Sequence, residues 1–197
     1  MNLVIIKYNA GNIRSVLFAL ERIGVEAVVT DDPDQIRQAD KVIFPGVGEA
    51  SSAMRYLKER GLDQLIIGLK QPVLGICLGM QLMCRYSEEN DTPCLGIFEE
   101  SVKRFAPSPD QSIKIPQMGW NKIYGLKSKL FHQVPEHSYC YFVHGFYADL
   151  GEHTISSTDY VTPYSSALAR DNFYGVQFHP EKSAEVGELI LKNFIAL

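Results

Sequence analysis

Pro72-Val73-Leu74-Gly75-Ile76-Cys77-Leu78-Gly79 is the stretch that decides the fold. Pro72–Ile76 is a short apolar run, the pattern of a strand buried on both faces. From Cys77 to about Tyr86 the pattern is helical. Between strand and helix stands Gly-x-Cys-x-Gly, the form of a nucleophile elbow with cysteine in place of serine. A turn this sharp needs glycine where neighbouring backbones close in. The elbow would lift the Cys77 sulfur out of the sheet and set it at a helix N-terminus, whose dipole favours a thiolate. A tight strand-to-helix turn around a buried cysteine is the plain structural alternative, and this stretch alone does not separate the two.

Towards the N-terminus, strands and helices alternate. Leu3–Tyr8 reads as a buried strand, and Asn12 as the cap of a helix with Ile13, Val16, Leu17 and Leu20 on one face. Glu26–Thr30 is a second strand. Asp32 and Pro33 open a short helix as cap and first residue. Lys41–Phe44 is a third strand, ending in Pro45-Gly46-Val47-Gly48. A helix then runs to about Arg60 and is closed by Gly61. Strands joined by helices imply right-handed crossovers and a mainly parallel sheet.

The C-terminal half has short strand-like runs between turns: Val102–Phe105, Asn121–Tyr124, Tyr139–Phe146, Thr154–Ser157, Ser166–Arg170 and Phe173–Phe178. These predict antiparallel strands that extend or flank the sheet. A last helix, about Ser183–Ile195, carries Val186, Leu189, Ile190 and Phe194 on one stripe. The predicted fold is a three-layer α/β domain over residues 1–197 with an added β-rich section. The kinked loop Ala106–Asp110 is too short to divide it.

Bulk properties exclude several function classes. At 197 residues, 46% hydrophobic, 21% charged and a net charge of −4, the chain reads as an ordinary soluble globular protein. There is no Lys/Arg run for nucleic acid, no apolar window of about 18 residues for a membrane span and no signal-peptide pattern. A cytoplasmic location is expected. The four cysteines match no zinc ribbon or C-x-x-C motif. Cys84, Cys94 and Cys140 read as small buried hydrophobes. No metal site is evident, and no organic cofactor is implied.

Open parallel sheets bind ligands at the C-terminal ends of their strands. Besides the Cys77 elbow, two segments fall there. In Gly175-Val176-Gln177-Phe178-His179-Pro180-Glu181, Pro180 ends the ladder, so His179 and Glu181 would project beyond the strand. A thiol nucleophile needs a base, and the base needs an orienting group. Alone, the pair reads as a surface histidine beside a solvated acid. With Cys77 in a parallel sheet, it reads as a Cys-His-Glu catalytic set. In Pro45-Gly46-Val47-Gly48, main-chain N–H groups, with that of Leu78, are positioned to hold an oxyanion. A plain loop is the alternative, and the Gly-Lys-Ser/Thr of a phosphate loop is absent.

Together, Pro-Gly-Val-Gly, Gly-Ile-Cys-Leu-Gly-Met-Gln and Gly-Val-Gln-Phe-His-Pro-Glu-Lys-Ser resemble the class I, or triad, glutamine amidotransferases, and the resemblance runs from Met1 to Leu197. It implies a flavodoxin-like fold and a glutaminase with Cys77 as nucleophile. His179, oriented by Glu181, would protonate the departing ammonia and then activate water. Gly46, Val47, Gly48 and Leu78 would form the oxyanion site. Gln81 would contact the glutamine, and the backbone around His144, Gly145 and Phe146 its amino-acid end. Tyr8-Asn9-Ala10-Gly11-Asn12, Pro116–Asn121, Tyr141–His144 and Lys182-Ser183 narrow the resemblance to the branch serving imidazole glycerol phosphate synthesis. There, Gly11, Asn12, Trp120, Tyr141 and Lys182 match positions facing a cyclase partner. Ammonia would pass through that partner, a (β/α)₈ barrel, to a ribonucleotide intermediate of histidine synthesis.

The chain departs from the family pattern at Gly145, where Ser or Thr is usual, so a hydroxyl near the glutamine site is missing. Trp120 also has a plain reading as a core residue, Asn12 as a helix cap and Lys182 as a solvated charge. Two competing functions remain open in the sequence. One is a glutaminase serving another synthase or a divergent cyclase, separated from the first by the Pro116–Asn121 and Tyr141–His144 surface. The other is a stress-type chaperone or peptidase-like protein with an elbow cysteine, which needs neither the Pro-Gly-Val-Gly strand nor a glutamate two residues after the histidine.

Overall fold

The apolar runs of the N-terminal half become the middle of one sheet. A computed structural model describes residues 1–9, 12–107 and 112–197 of the chain. In it β1 (Leu3–Ile6), β2 (Val28–Thr30), β3 (Lys41–Phe44) and β4 (Val73–Ile76) pair in parallel in the order β2-β1-β3-β4. Every residue of β1, β3 and β4 is buried. The alternation of side chains sends them into two cores. Val4, Ile6, Val42, Phe44 and Val73 pack with α2 (Pro33–Gln38), α3 (Ala50–Glu59), α4 (Leu62–Ile67) and α5 (Leu78–Met83). Leu3, Ile5, Ile43, Leu74 and Ile76 pack with α1 (Ile13–Arg22) and α6 (Ala184–Ala196). The result is a three-layer α/β structure.

The sheet continues from β4 through β13 (Phe173–Val176), β12 (Pro163–Arg170), β10 (Phe146–Ala148) and β7 (Ser101–Arg104) to the short strands β5 (Tyr86–Ser87) and β6 (Thr92–Pro93). β11 (Thr154–Asp159) pairs with β12 off this path. A separate antiparallel ribbon is formed by β8 (Gln117–Lys122) and β9 (Tyr139–His144). The added β section is therefore present. One expected strand differs in sense. β13 runs antiparallel to β12 but parallel to β4, with Gly175 opposite Gly75 and Val176 opposite Ile76. Asn172 sets that pairing. Its side chain donates to Leu69 O at 3.1 Å and Gln71 O at 2.8 Å, and its carbonyl accepts from Val73 N–H at 2.9 Å.

Other differences have local causes. α5 stops at Met83 because Cys84 takes an extended backbone, and the chain then turns through the β5–β6 hairpin at Asn90 and Asp91, both at positive φ. Gly61 (φ 65) does not merely close a helix; it opens α4, which patterning had not separated. Of the expected stripe on α6, Ile190 and Phe194 are buried, together with Gly187 and Leu191, while Val186 and Leu189 are partly buried against the same core. At Gly187 a Cβ would lie 1.9 Å from Pro180 O. This close approach seats α6 against the turn that follows β13. Residues 108–111 of the kinked loop lie outside the described residues.

Candidate active site

β4 ends at Ile76, and Cys77 turns the chain with φ 53 and ψ −109, a conformation rarely taken by a residue with a side chain. Its N–H donates to Val176 O at 2.8 Å, so the β4–β13 pairing extends to Cys77. The Sγ stands 3.8 Å from Val143 O and 3.7 Å from Gln177 Nε2. Parallel to it, β13 runs on through Gln177 and Phe178 to His179. His179 and Glu181 lie beyond the end of β13, as expected, and both are buried, His179 at 2% exposure, so the plain reading of a surface histidine beside a solvated acid does not hold. Pro180 starts a single 3₁₀ turn, Pro180–Lys182, which folds Glu181 back so that His179 Nδ1–H donates to Glu181 Oε1 at 2.8 Å.

The backbone of His179 is clamped on both sides. Its N–H donates to Tyr141 O of β9 at 2.9 Å. Ser183 Oγ donates to His179 O at 2.6 Å and accepts from Tyr141 N–H at 2.9 Å. Asn12 was expected to cap α1, but it sits at φ 73 with no capping bond. Its side-chain amide instead donates to Glu181 Oε1. Glu181 Oε2 is buried and has no hydrogen-bond partner among the described residues. Burial alone would lower the His179 pKa, but hydrogen bonding and charge from Cys77 and Glu181 outweigh it and raise the value to about 10. The second nearby histidine, His144, is pushed the other way. Burial lowers it to about 4, so it is neutral at pH 7.

A cavity of about 320 Å³ opens on Cys77 and His179, at the lower end of the range for small-molecule sites. Val47, Gly48, Gln81, Glu89 and the backbone at His144–Phe146 line it. The Pro45–Gly48 segment is held by Tyr8, whose hydroxyl donates to Pro45 O at 2.6 Å. Leu78 N–H is not free as expected. It donates to Gly46 O at 3.2 Å, so an acceptor, not a second donor, faces it in this arrangement. Gln81 is buried and donates to Phe146 O at 2.9 Å and to Gln177 Oε1 at 2.8 Å. His144 Nδ1–H donates to the same Phe146 O at 2.7 Å, fixing the bend at Gly145.

Two residues of the site escaped the sequence reading. Gln177 lies two residues before His179, on the same side of the strand, but nothing in the sequence sets it opposite Cys77. Glu89 reaches the cavity from the β5–β6 hairpin, and its carboxylate accepts from Ala50 N–H at the start of α3 at 2.7 Å. Burial raises the Glu89 pKa above the usual carboxylate range, opposed by the Ala50 bond. The run Glu89-Asn90-Asp91 signals a turn, not a pocket. Of the expected partner residues, Trp120 and Tyr141 lie on the β8–β9 ribbon, Lys182 on the Pro180–Lys182 turn and Asn12 before α1. Trp120 is not a core residue. It is 52% exposed and packs edge-on to Tyr141 at 5.9 Å, with Met118 exposed beside it. Lys182 Nζ lies 5.9 Å from the Tyr141 ring centre. Gly11 lies outside the described residues. Among the described residues no group of three or more His, Cys, Asp or Glu is arranged to hold a metal ion, and no helix is long and apolar enough to cross a membrane.

The chain matches the family model for glutamine amidotransferase class-I over residues 4–197. It is 59% identical over 197 residues to the imidazole glycerol phosphate synthase subunit HisH of Bacteroides fragilis, covering 100% of both chains. It is 45% identical over 196 residues to the protein of that name from Haemophilus influenzae, covering 99% of this chain and 97% of the relative. Among solved structures, a GMP synthase component from Thermoplasma acidophilum superposes with a TM-score of 0.76 at 20% identity, covering 100% of this chain and 93% of the other. That likeness bears on the fold.

The electrostatics of the site give one direct test. At pH 8, NMR of imidazole nitrogens is expected to show His179 protonated and His144 neutral. Cys77→Ala and Glu181→Gln each remove a group that raises the His179 pKa, so its titration midpoint falls in both. An unchanged midpoint in both variants contradicts this assignment.

Proposed function

The chain belongs to the class-I glutamine amidotransferase family, and on that premise we propose that it is the glutamine-hydrolysing subunit of an imidazole glycerol phosphate synthase. The observation that carries the catalytic reading is the meeting of Cys77 and buried His179 on one cavity of amino-acid size, with Glu181 bonded behind His179. The Cys77 sulfur attacks the glutamine carboxamide carbon and forms a C–S bond. His179, protonated and held by Glu181, gives its proton to the nitrogen as the C–N bond breaks, releasing ammonia. The neutral His179 then takes a proton from water. The resulting hydroxide displaces the sulfur from the γ-glutamyl thioester, yielding glutamate.

Glu89 supplies a carboxylate for the substrate's α-ammonium, and the backbone at His144–Phe146 holds its amino-acid end. Turning the Gly46–Val47 peptide would release Leu78 N–H and bring Val47 N–H into the cavity, completing an oxyanion site from Gly46, Val47, Gly48 and Leu78. The resting arrangement, with Gly46 O on Leu78 N–H, is then a low-activity state whose population the partner shifts.

The partner of this reading is a (β/α)₈-barrel cyclase that receives the ammonia in a heterodimer. The cluster of Trp120, Tyr141 and Lys182 faces it, together with Asn12. Support comes from the bond between Tyr141 O and His179 N–H, which links the ribbon carrying Trp120 and Tyr141 to the base. Service to a different synthase keeps the same chemistry and changes only this surface.

Two measurements follow. Glutamate release by the isolated chain should be slow, and should rise at least tenfold when a cyclase and its nucleotide substrate are both added. Equal rates with and without them contradict the proposed activation, and hydrolysis that no cyclase affects points to another synthase. The second concerns Gly145, where a Cβ meets only ordinary contacts at 3.9 Å with Ile115 and Pro116. Gly145→Ser should fold normally and lower KM for glutamine about five-fold at similar kcat, the effect of about one hydrogen bond. An unchanged or higher KM means that the family hydroxyl has no counterpart role here.

A further inference from the structure

Gln177 is completely buried. A carboxamide excluded from water is costly unless both of its ends are paired. The pairing here fixes which end faces which neighbour, beginning from a main-chain carbonyl. Phe146 O can only accept, and it takes a hydrogen bond from the Gln81 side chain at 2.9 Å. Gln81 must therefore present its NH₂ group on that side. The same nitrogen lies 2.8 Å from the Gln177 side chain, so Gln177 must offer its oxygen in return. The Gln177 NH₂ group is left pointing the other way, where the Cys77 sulfur stands 3.7 Å from Nε2. His144 supports the chain at its start by donating to the same Phe146 O.

We infer that Gln177 is a further catalytic residue, donating a hydrogen bond to the Cys77 sulfur, and that Gln81 is the positioning residue that sets the direction of the Gln177 amide. This rests on the reading of Cys77 as the nucleophile. A neutral thiol is a weak acceptor, whereas a thiolate is a strong one, so a fixed N–H donor favours the attacking form and receives the sulfur again when the thioester is hydrolysed. Val143 O acts in the opposite sense. At 3.8 Å it accepts from the thiol and repels the thiolate. The ionisable groups around the sulfur are His179 on the β13 extension, with Glu181 behind it, and Tyr8 on the β1 side, whose hydroxyl is turned to Pro45 O; His144 from β9, Glu89 from the β5–β6 hairpin and Lys182 from the turn after β13 line the same cavity. Gln177 is the uncharged member of this set. It provides a donor that does not leave with the proton His179 transfers.

The test is the rate of Cys77 alkylation by iodoacetamide as a function of pH in the full chain, read by mass spectrometry of the Cys77 peptide. Wild type is compared with Gln177→Met, Gln177→Glu and Gln81→Met, each checked for folding by circular dichroism. Gln177→Met removes the donor at similar volume, and Gln177→Glu replaces it with an acceptor. Both should slow alkylation at neutral pH about tenfold and move its midpoint to higher pH, Gln177→Glu further, since a hydrogen bond to a charged group is worth at least about that factor. Gln81→Met should move the midpoint in the same direction by a smaller step. With the cyclase present, Gln177→Met should lower kcat for glutamine and leave KM nearly unchanged. If either Gln177 variant fails to fold, the other and Gln81→Met carry the comparison. Wild-type alkylation rates and midpoints in the folded variants overturn the inference. Alkylation needs neither glutamine nor partner, so that result leaves the glutaminase reading standing. A wild-type chain that never hydrolyses glutamine, yet loses alkylation rate in the variants, sinks the glutaminase reading and keeps the hydrogen bond.

Discussion

The parallel pairing of Phe173–Val176 with Val73–Ile76 is the constraint on which the site depends. It places two strand ends side by side, so that the residue after one strand is Cys77 and the residues after the other are Gln177 and His179. A slip of one residue would reverse the faces and send His179 away from the sulfur. Asn172 guards the register at the strand entrances, and the Cys77 N–H bond to Val176 O guards it at the exits. Gly79 permits the helix after Cys77 to sit close, since a Cβ there would lie 1.9 Å from Phe44 O.

A buried histidine held protonated beside a carboxylate has to offset desolvation on both partners. The fold does this with oriented neighbours. Asn12 and the His179 imidazole share Glu181 Oε1, and Ser183 with Tyr141 locks the backbone between them. Two of those residues come from segments that, as proposed, meet the cyclase. The contacts that orient His179 and the surface proposed to receive the partner are therefore built from the same short stretches of chain. This gives a partner a mechanical route to the base, and the Gly46–Val47 peptide a candidate two-state element for it to bias.

The order of strands and helices around Cys77 was legible because it rests on local patterns: apolar runs, a Gly-x-Cys-x-Gly turn, a proline after a histidine. Cys77, His179 and Glu181 could be named from such patterns at strand ends. What stayed hidden depends on contacts between distant parts of the chain. Asn12 has the local form of a helix cap, but its amide is used 169 residues away. Gln177 looks like any strand residue until β13 is set against β4, 100 residues earlier in the chain. Trp120 reads as core by residue type alone; the family resemblance sets it on a partner-facing surface, and the ribbon leaves it exposed. Glu89 is hidden because α5 ends early, at a backbone change in Cys84 that the helical pattern does not announce.

The central claim is that Cys77, served by the group at the end of β13, carries the acyl group of glutamine. The most direct measurement is acid quenching of the chain–cyclase complex during turnover, followed by mass spectrometry of the peptide that contains Cys77. The expected result is a γ-glutamyl adduct on Cys77, absent in Cys77→Ala, and greater in amount when Glu181→Gln slows the activation of water. Turnover of glutamine without any adduct, together with a Cys77→Ser variant as fast as the wild type, would contradict it.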